Sequence, residues 1–115
     1  MADYMILGMH ELEPIRGTVD IEGERLGAGV SVILVDIAAN ERVRLHRHPY
    51  QEILILQEGQ ATYTVGSDTL DVRAPQVVVV SAQVPHAFVN SGSGPLRQVD
   101  IHLNARFVTE WLEPE

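Results

Sequence analysis

The chain has 115 residues, 45% of them apolar and 21% charged, which is the size and balance of one globular domain rather than of a disordered or fibrous chain. Its formal charge of -8 repels phosphate backbones and anionic headgroups, so neither nucleic acid nor a membrane surface is an expected partner. It has no cysteine, and its eight basic residues are all arginine, which excludes disulfides, thiolate metal sites and Schiff bases on a lysine amine.

From the N-terminus, Asp3 and Glu11 precede the first basic residue, Arg16, unlike the charged start of a secretory signal. The longest apolar runs, at 32–35 and 77–80, are far shorter than the roughly 20 residues that span a bilayer. The expectation is a cytoplasmic protein with one domain over 1–115. Residues 8–29 are rich in Gly and Glu and read as loops with room for an N-terminal strand. From there, short stretches of Val, Ile and Thr recur every ten residues or so, separated by Gly, Pro, Asn and Asp turns. This pattern predicts strands at 31–36, 43–48, 52–56, 60–65, 68–72, 77–81, 86–90 and 97–103. The connections are too short for crossover helices, so the fold class is all-β and antiparallel, a sandwich or barrel. After the last strand, Asn104 can cap a short helix over about 104–113, with Phe107, Val108, Trp111 and Leu112 on one side and packed outside the barrel.

Chemistry concentrates in two of these strands. His46 and His48 are two residues apart, which places both imidazoles on one face of a strand, about 6.6 Å apart. Glu52 shares their parity across a bend at Pro49, and His86 lies on a strand distant in sequence. A carboxylate unpaired among apolar strands costs several kcal/mol, and a bound ion offsets that cost. Three imidazoles and a carboxylate suit one divalent transition metal, Mn, Fe, Ni, Zn or Cu, and four protein donors on a six-coordinate ion leave two positions open. On the last strand Gln98, Asp100 and His102 form one row, which either lines the interior or meets solvent. His102, placed inside, is the candidate general acid or base. Leu54, Leu56, Phe88 and Asn90 share inward parity, Tyr63 and Gln60 are weaker pocket candidates, and Tyr50 sits in the bend between ligands.

The run from Asn40 to Gly59, with His46, His48 and Glu52, resembles the first motif of the cupin superfamily, and the run from Pro75 to Asn90, with His86, resembles the second. Asn40 stands where the first motif has glycine; Pro75, Ser81 and Gln83 stand where the second has Gly, Pro and Gly. The resemblance implies a jelly-roll barrel, a double-stranded β-helix with motifs at 40–59 and 75–90. It also implies metal ligation by His46, His48, Glu52 and His86, a turn role for Asn90 and a hairpin at Gly59. It implies a homodimer that binds a small organic molecule, either as a dioxygenase or isomerase or as a non-catalytic binding or sensing protein.

Overall fold

The structure is a computed structural model and describes residues 3–114. A 3-10 turn (Met9–Glu11) leads into strand β1 (Thr18–Ile21) and a single helical turn α1 (Gly23–Leu26). Then follow β2 (Ser31–Ile37), β3 (Arg42–Arg47), β4 (Glu52–Glu58), β5 (Gln60–Val65) and β6 (Asp68–Arg73). The chain ends with β7 (Gln76–Val80), β8 (His86–Asn90), β9 (Leu96–His102) and β10 (Glu110–Trp111). Among the described residues no helix is long and apolar enough to cross a membrane.

The strands form two five-stranded antiparallel sheets, ordered β1-β2-β9-β4-β7 and β10-β3-β8-β5-β6. Consecutive strands often lie in different sheets, as a jelly roll requires. Period-two alternation sets which side chains face inward: Glu52, Leu54 and Leu56 on β4, His86, Phe88 and Asn90 on β8, and Leu96, Gln98, Asp100 and His102 on β9 are all buried. The apolar part of the interior is built by Leu54, Leu56, Ala61, Tyr63, Val80, Phe88 and Leu96, packed between the sheets.

The turns explain the departures from the motif glycines. Asn40 has φ +70° and Gln83 has φ +68°, so both positions take the left-handed conformation that glycine enters most easily. At Gly59, φ is +93° and a Cβ would lie 2.4 Å from the Pro95 carbonyl oxygen, so only glycine fits between β4 and β5. Asn90 is buried and donates from Nδ2 to the carbonyls of Ile37 and Gly94 while accepting from Gly92 N–H, which ties the β8–β9 turn to β2.

The expected helix over about 104–113 is absent. The backbone there is spent on other partners: Phe107 N–H donates to Glu22, Val108 N–H to the Tyr50 hydroxyl, and Leu112 N–H to the Leu45 carbonyl. Glu110 and Trp111 pair with Arg47 and His46 as an edge strand beside β3. A helix of about ten residues is marginal by itself, and these tertiary hydrogen bonds outweigh its weak periodicity. Trp111 therefore does not pack outside the barrel. It lies at the cavity mouth, 4.9 Å from the His46 ring centroid and under the Arg44 guanidinium.

Candidate metal centre

β3, the residue after it, β4 and β8 bring His46, His48, Glu52 and His86 together, with one donor atom from each within 4.8 Å of every other. β3 and β8 pair His46 directly with His86, beyond a register shift between Val43 and His46. All four residues are buried.

The hydrogen bonds fix the imidazoles. Nδ1 of His46 lies 2.6 Å from the Arg44 carbonyl, Nδ1 of His48 2.9 Å from the Val108 carbonyl, and Nδ1 of His86 3.0 Å from the Val84 carbonyl. A carbonyl only accepts, so each Nδ1 carries the proton and each Nε2 presents its lone pair. His86 Nε2 and His48 Nε2 lie 2.9 and 3.2 Å from the same oxygen, Oε1 of Glu52. Buried His48 Nε2 has no hydrogen-bond partner. Lone pairs thus face lone pairs, an arrangement that is repulsive until a cation sits between them. Donors 2.9–3.2 Å apart are also spaced as neighbouring vertices around an octahedral ion with bonds of about 2.1 Å, for which geometry gives about 3.0 Å. The residues fit a divalent ion.

Electrostatics agrees. Burial, and then the cost of charging a ring beside the His86 imidazole, push the His46 imidazole down to about 4, so it is a neutral ligand at pH 7. For Glu52, burial pushes upward, but the hydrogen bond from His102 outweighs it and keeps the carboxyl below its ordinary range, ionised. Burial and the Glu52 charge push Asp100 well above the ordinary carboxyl range, against the hydrogen bond from Gln98. Two carboxyls in one interior are thereby held in different states.

The cavity at this site has a volume of about 520 Å³. Ile33, Val35, Val43 and Phe88 supply its apolar wall, Asp100 and His102 its floor, and Phe107, Thr109 and Trp111 part of its mouth. His102 thus faces inward, one of the two sides that the sequence left open for its row. Its Nε2 lies 3.1 Å from Glu52 Oε2 and its Nδ1 2.5 Å from the Tyr50 hydroxyl. Tyr50 also stacks on His48, with ring centroids 5.0 Å apart. Leu54 and Leu56 are core. Tyr63 and Gln60 do not line the cavity: Tyr63 is fully buried, donating to Gln98 Oε1, and Gln60 lies at the start of β5 near Gly92. The contributions of Trp111 and Thr109 were missed in the sequence, since both follow from the C-terminal edge strand. The Val108 carbonyl that orients His48 had no sequence signal.

The Cupin domain family profile matches residues 33–102. No curated protein sequence matches the chain. Among solved structures, the chain is similar to Lactobacillus farciminis oxalate decarboxylase in complex with formate, with TM-score 0.82, 22% identity, 92% of this chain covered and 35% of that one. It is similar also to Bacillus subtilis oxalate decarboxylase in a structure concerned with its Mn(II) centres, with TM-score 0.86, 22% identity, 96% of this chain and 33% of that one. The chain spans about a third of the length of these proteins.

Proposed function

The chain belongs to the cupin family, and on that premise we propose that it is a metal-dependent cupin that binds a small organic molecule at one divalent ion held by His46, His48, Glu52 and His86. The observation that carries this reading is the shared tautomer: three buried imidazoles have Nδ1 committed to backbone carbonyls and Nε2 turned to a common centre. Mn, Fe, Ni, Zn and Cu all suit such donors. The Mn(II) centres of the Bacillus subtilis neighbour make Mn the first ion to try. When bound, the ion supplies Lewis-acid polarisation of a ligand oxygen or activation of dioxygen.

The chain's own residues shape the rest. Ile33, Val35, Val43 and Phe88 exclude water from an organic molecule, and about 520 Å³ accommodates one of small size. Asp100, held protonated, is placed to donate a hydrogen bond from the floor, its carboxyl fixed by Gln98 Nε2 at 2.8 Å. The cavity opens past Trp111, which favours turnover of the dioxygenase or isomerase type over a sealed, non-catalytic binding site. The test is a screen of small enols, keto acids, phenols and sugars, aerobic and anaerobic, with protein reconstituted separately with each metal. Turnover that needs the metal and disappears in Glu52→Gln supports the enzyme reading. Tight binding of a molecule without turnover moves the protein to the binding or sensing class.

We also propose a homodimer, through the outer face of the first sheet. Register places Ile21, Val32, Ile101, Ile53 and Val79 in one row across all five strands, and Val19, Leu34, Val99, Ile55 and Val77 in the next. Both rows are wholly aliphatic, and Val77 and Val79 are more than half exposed. At strand spacings of about 4.8 Å and about 3.4 Å per residue the rows cover about 24 by 14 Å, the extent of the apolar centre of an interface. A polar margin of Asp36, Arg97 and Glu58 borders it. A cleft between β1 and residues 5–12, lined by Met5, Leu7, Met9 and Leu12, continues the apolar surface past Ile21.

A further inference from the structure

His102 differs from the other three buried histidines in its partners, and the difference assigns it a task. Its Nδ1 meets the Tyr50 hydroxyl and its Nε2 meets Glu52 Oε2, so neither nitrogen is bonded to a backbone carbonyl. The Tyr50 oxygen accepts from Val108 N–H at 3.4 Å, which leaves its own proton for His102 Nδ1. With Nδ1 accepting, the ring proton must sit on Nε2, where it is donated to Glu52 Oε2. The chain of donors therefore runs Val108 N–H, Tyr50 O–H, His102 Nε2–H, Glu52. It ends on one carboxylate oxygen, while the other, Oε1, faces the Nε2 atoms of His86 and His48.

We propose that Tyr50 and His102 are a positioning pair that holds Glu52 as a one-oxygen ligand and so keeps a coordination position free for the small molecule. The inference rests on the metal-binding reading above. The chemistry is one of competition. A carboxylate binds an ion through one oxygen or both, and an oxygen that already accepts a hydrogen bond from an N–H is the poorer second donor. Four protein donors leave two positions on a six-coordinate ion, and a second oxygen from Glu52 would fill one of them. Tyr50 and His102 do not ligate. With both ring nitrogens occupied, His102 acts through Glu52 rather than as an acid or base on the ligand. Packing supports the pair: Tyr50 stacks on His48 with planes 12° apart, and His102 lies edge-on to Phe107.

The experiment loads the full-length protein with Mn(II) and reads, side by side, bound metal per chain and water-proton relaxation, which reports the waters on the ion. Wild type is expected to hold one Mn(II). Tyr50→Phe keeps the ring and its stacking but loses the proton given to His102, and His102→Leu loses the donor to Glu52. Both are expected to keep metal at saturation, with affinity lowered about 10- to 100-fold, and to show inner-sphere relaxation reduced about twofold as Glu52 takes up a second bond. His102→Gln, whose amide N–H occupies the place of Nε2–H, is expected to restore the wild-type signal. Relaxation unchanged in both Tyr50→Phe and His102→Leu, with one Mn(II) bound to each, overturns the positioning pair and leaves the metal site standing. Wild type that binds no Mn(II), nor Fe, Ni, Zn or Cu, overturns both readings. Loss of all metal in His102→Leu, with the fold intact by circular dichroism, also overturns the inference by making His102 a ligand.

Discussion

The first sheet carries a cluster of polar side chains beside the apolar core on its inner face and unbroken aliphatic rows on its outer face. Facing inward, toward what is ordinarily a hydrophobic core, its strands place Ser31, Glu52, Gln98, Asp100 and His102, all buried. Facing outward, toward what is ordinarily water, they place two uninterrupted rows of aliphatic side chains. An antiparallel sheet with one face in solvent shows the opposite alternation. Each anomaly has its own cause. Inside, buried polar groups persist because each has a partner: Ser31 accepts from Gly23 N–H and donates to the Asn104 carbonyl, Gln98 bridges Tyr63 and Asp100, and Glu52 meets imidazoles. Outside, aliphatic rows are retained at little risk of aggregation only when another surface covers them.

The comparison breaks most visibly at Glu52. Glu52→Gln keeps the shape but removes the charge on which the imidazoles converge, and metal retention after dialysis is expected to fall to background, read by elemental analysis. Next in size is the outer face. Val77→Lys with Val79→Lys adds charge at positions already exposed in the single chain, so the barrel should melt nearly as before. The mass by light scattering should fall from twice 12.7 kDa to 12.7 kDa. A wild-type mass of 12.7 kDa at micromolar concentration would overturn the dimer.

Acid sharpens the contrast, since the aliphatic rows of the outer face carry no titratable group. In metal-free protein the His46 imidazole is held down to about 4 by burial and by His86, below its ordinary 6.5. The unfolded chain then takes up a proton that the folded chain refuses, so stability is full above about 6.5 and falls as pH drops toward 4. Glu52, also held low, adds to the loss below its ordinary 4.5, whereas Asp100, held high, opposes it. In Asp100→Asn protein, which lacks the opposing carboxyl, denaturant midpoints between pH 7.5 and 4 should fall on acidification, and a flat profile over that range would contradict the buried neutral state of His46. The smallest effect is expected from Tyr63→Phe, which removes one buried hydrogen bond to Gln98 and should cost about 1–2 kcal/mol in chemical denaturation without changing metal content.

Much of this was legible in the sequence. The strands between residues 31 and 103 follow from runs of β-branched residues bounded by turn formers, and each lies within about two residues of its expected bounds. The four clustered donors follow from strand parity plus one distant histidine. What escaped is what local sequence does not encode. The pattern Phe107, Val108, Trp111, Leu112 is equally compatible with a helix turn and with side chains that alternate around a bent edge. Hydrogen bonds to β3 and to Tyr50 decide between them. β1 is four residues long in a stretch rich in Gly and Glu, and its pairing with β2 is what makes it a strand. The inward row on β9 was visible as a row, but which side it faced depended on β9 lying between β2 and β4.

The central claim is tested most directly by metal stoichiometry of untagged protein, stripped and then reconstituted separately with Mn, Fe, Ni, Zn and Cu, with thermal melting recorded on the same samples. The account predicts one ion per chain for at least one of these metals. It also predicts a raised melting temperature, equivalent to about 2.7 kcal/mol at free metal 100 times Kd, since the ion binds the folded barrel and hardly the unfolded chain. Metal content near zero with all five ions, and melting unmoved by any of them, would contradict it.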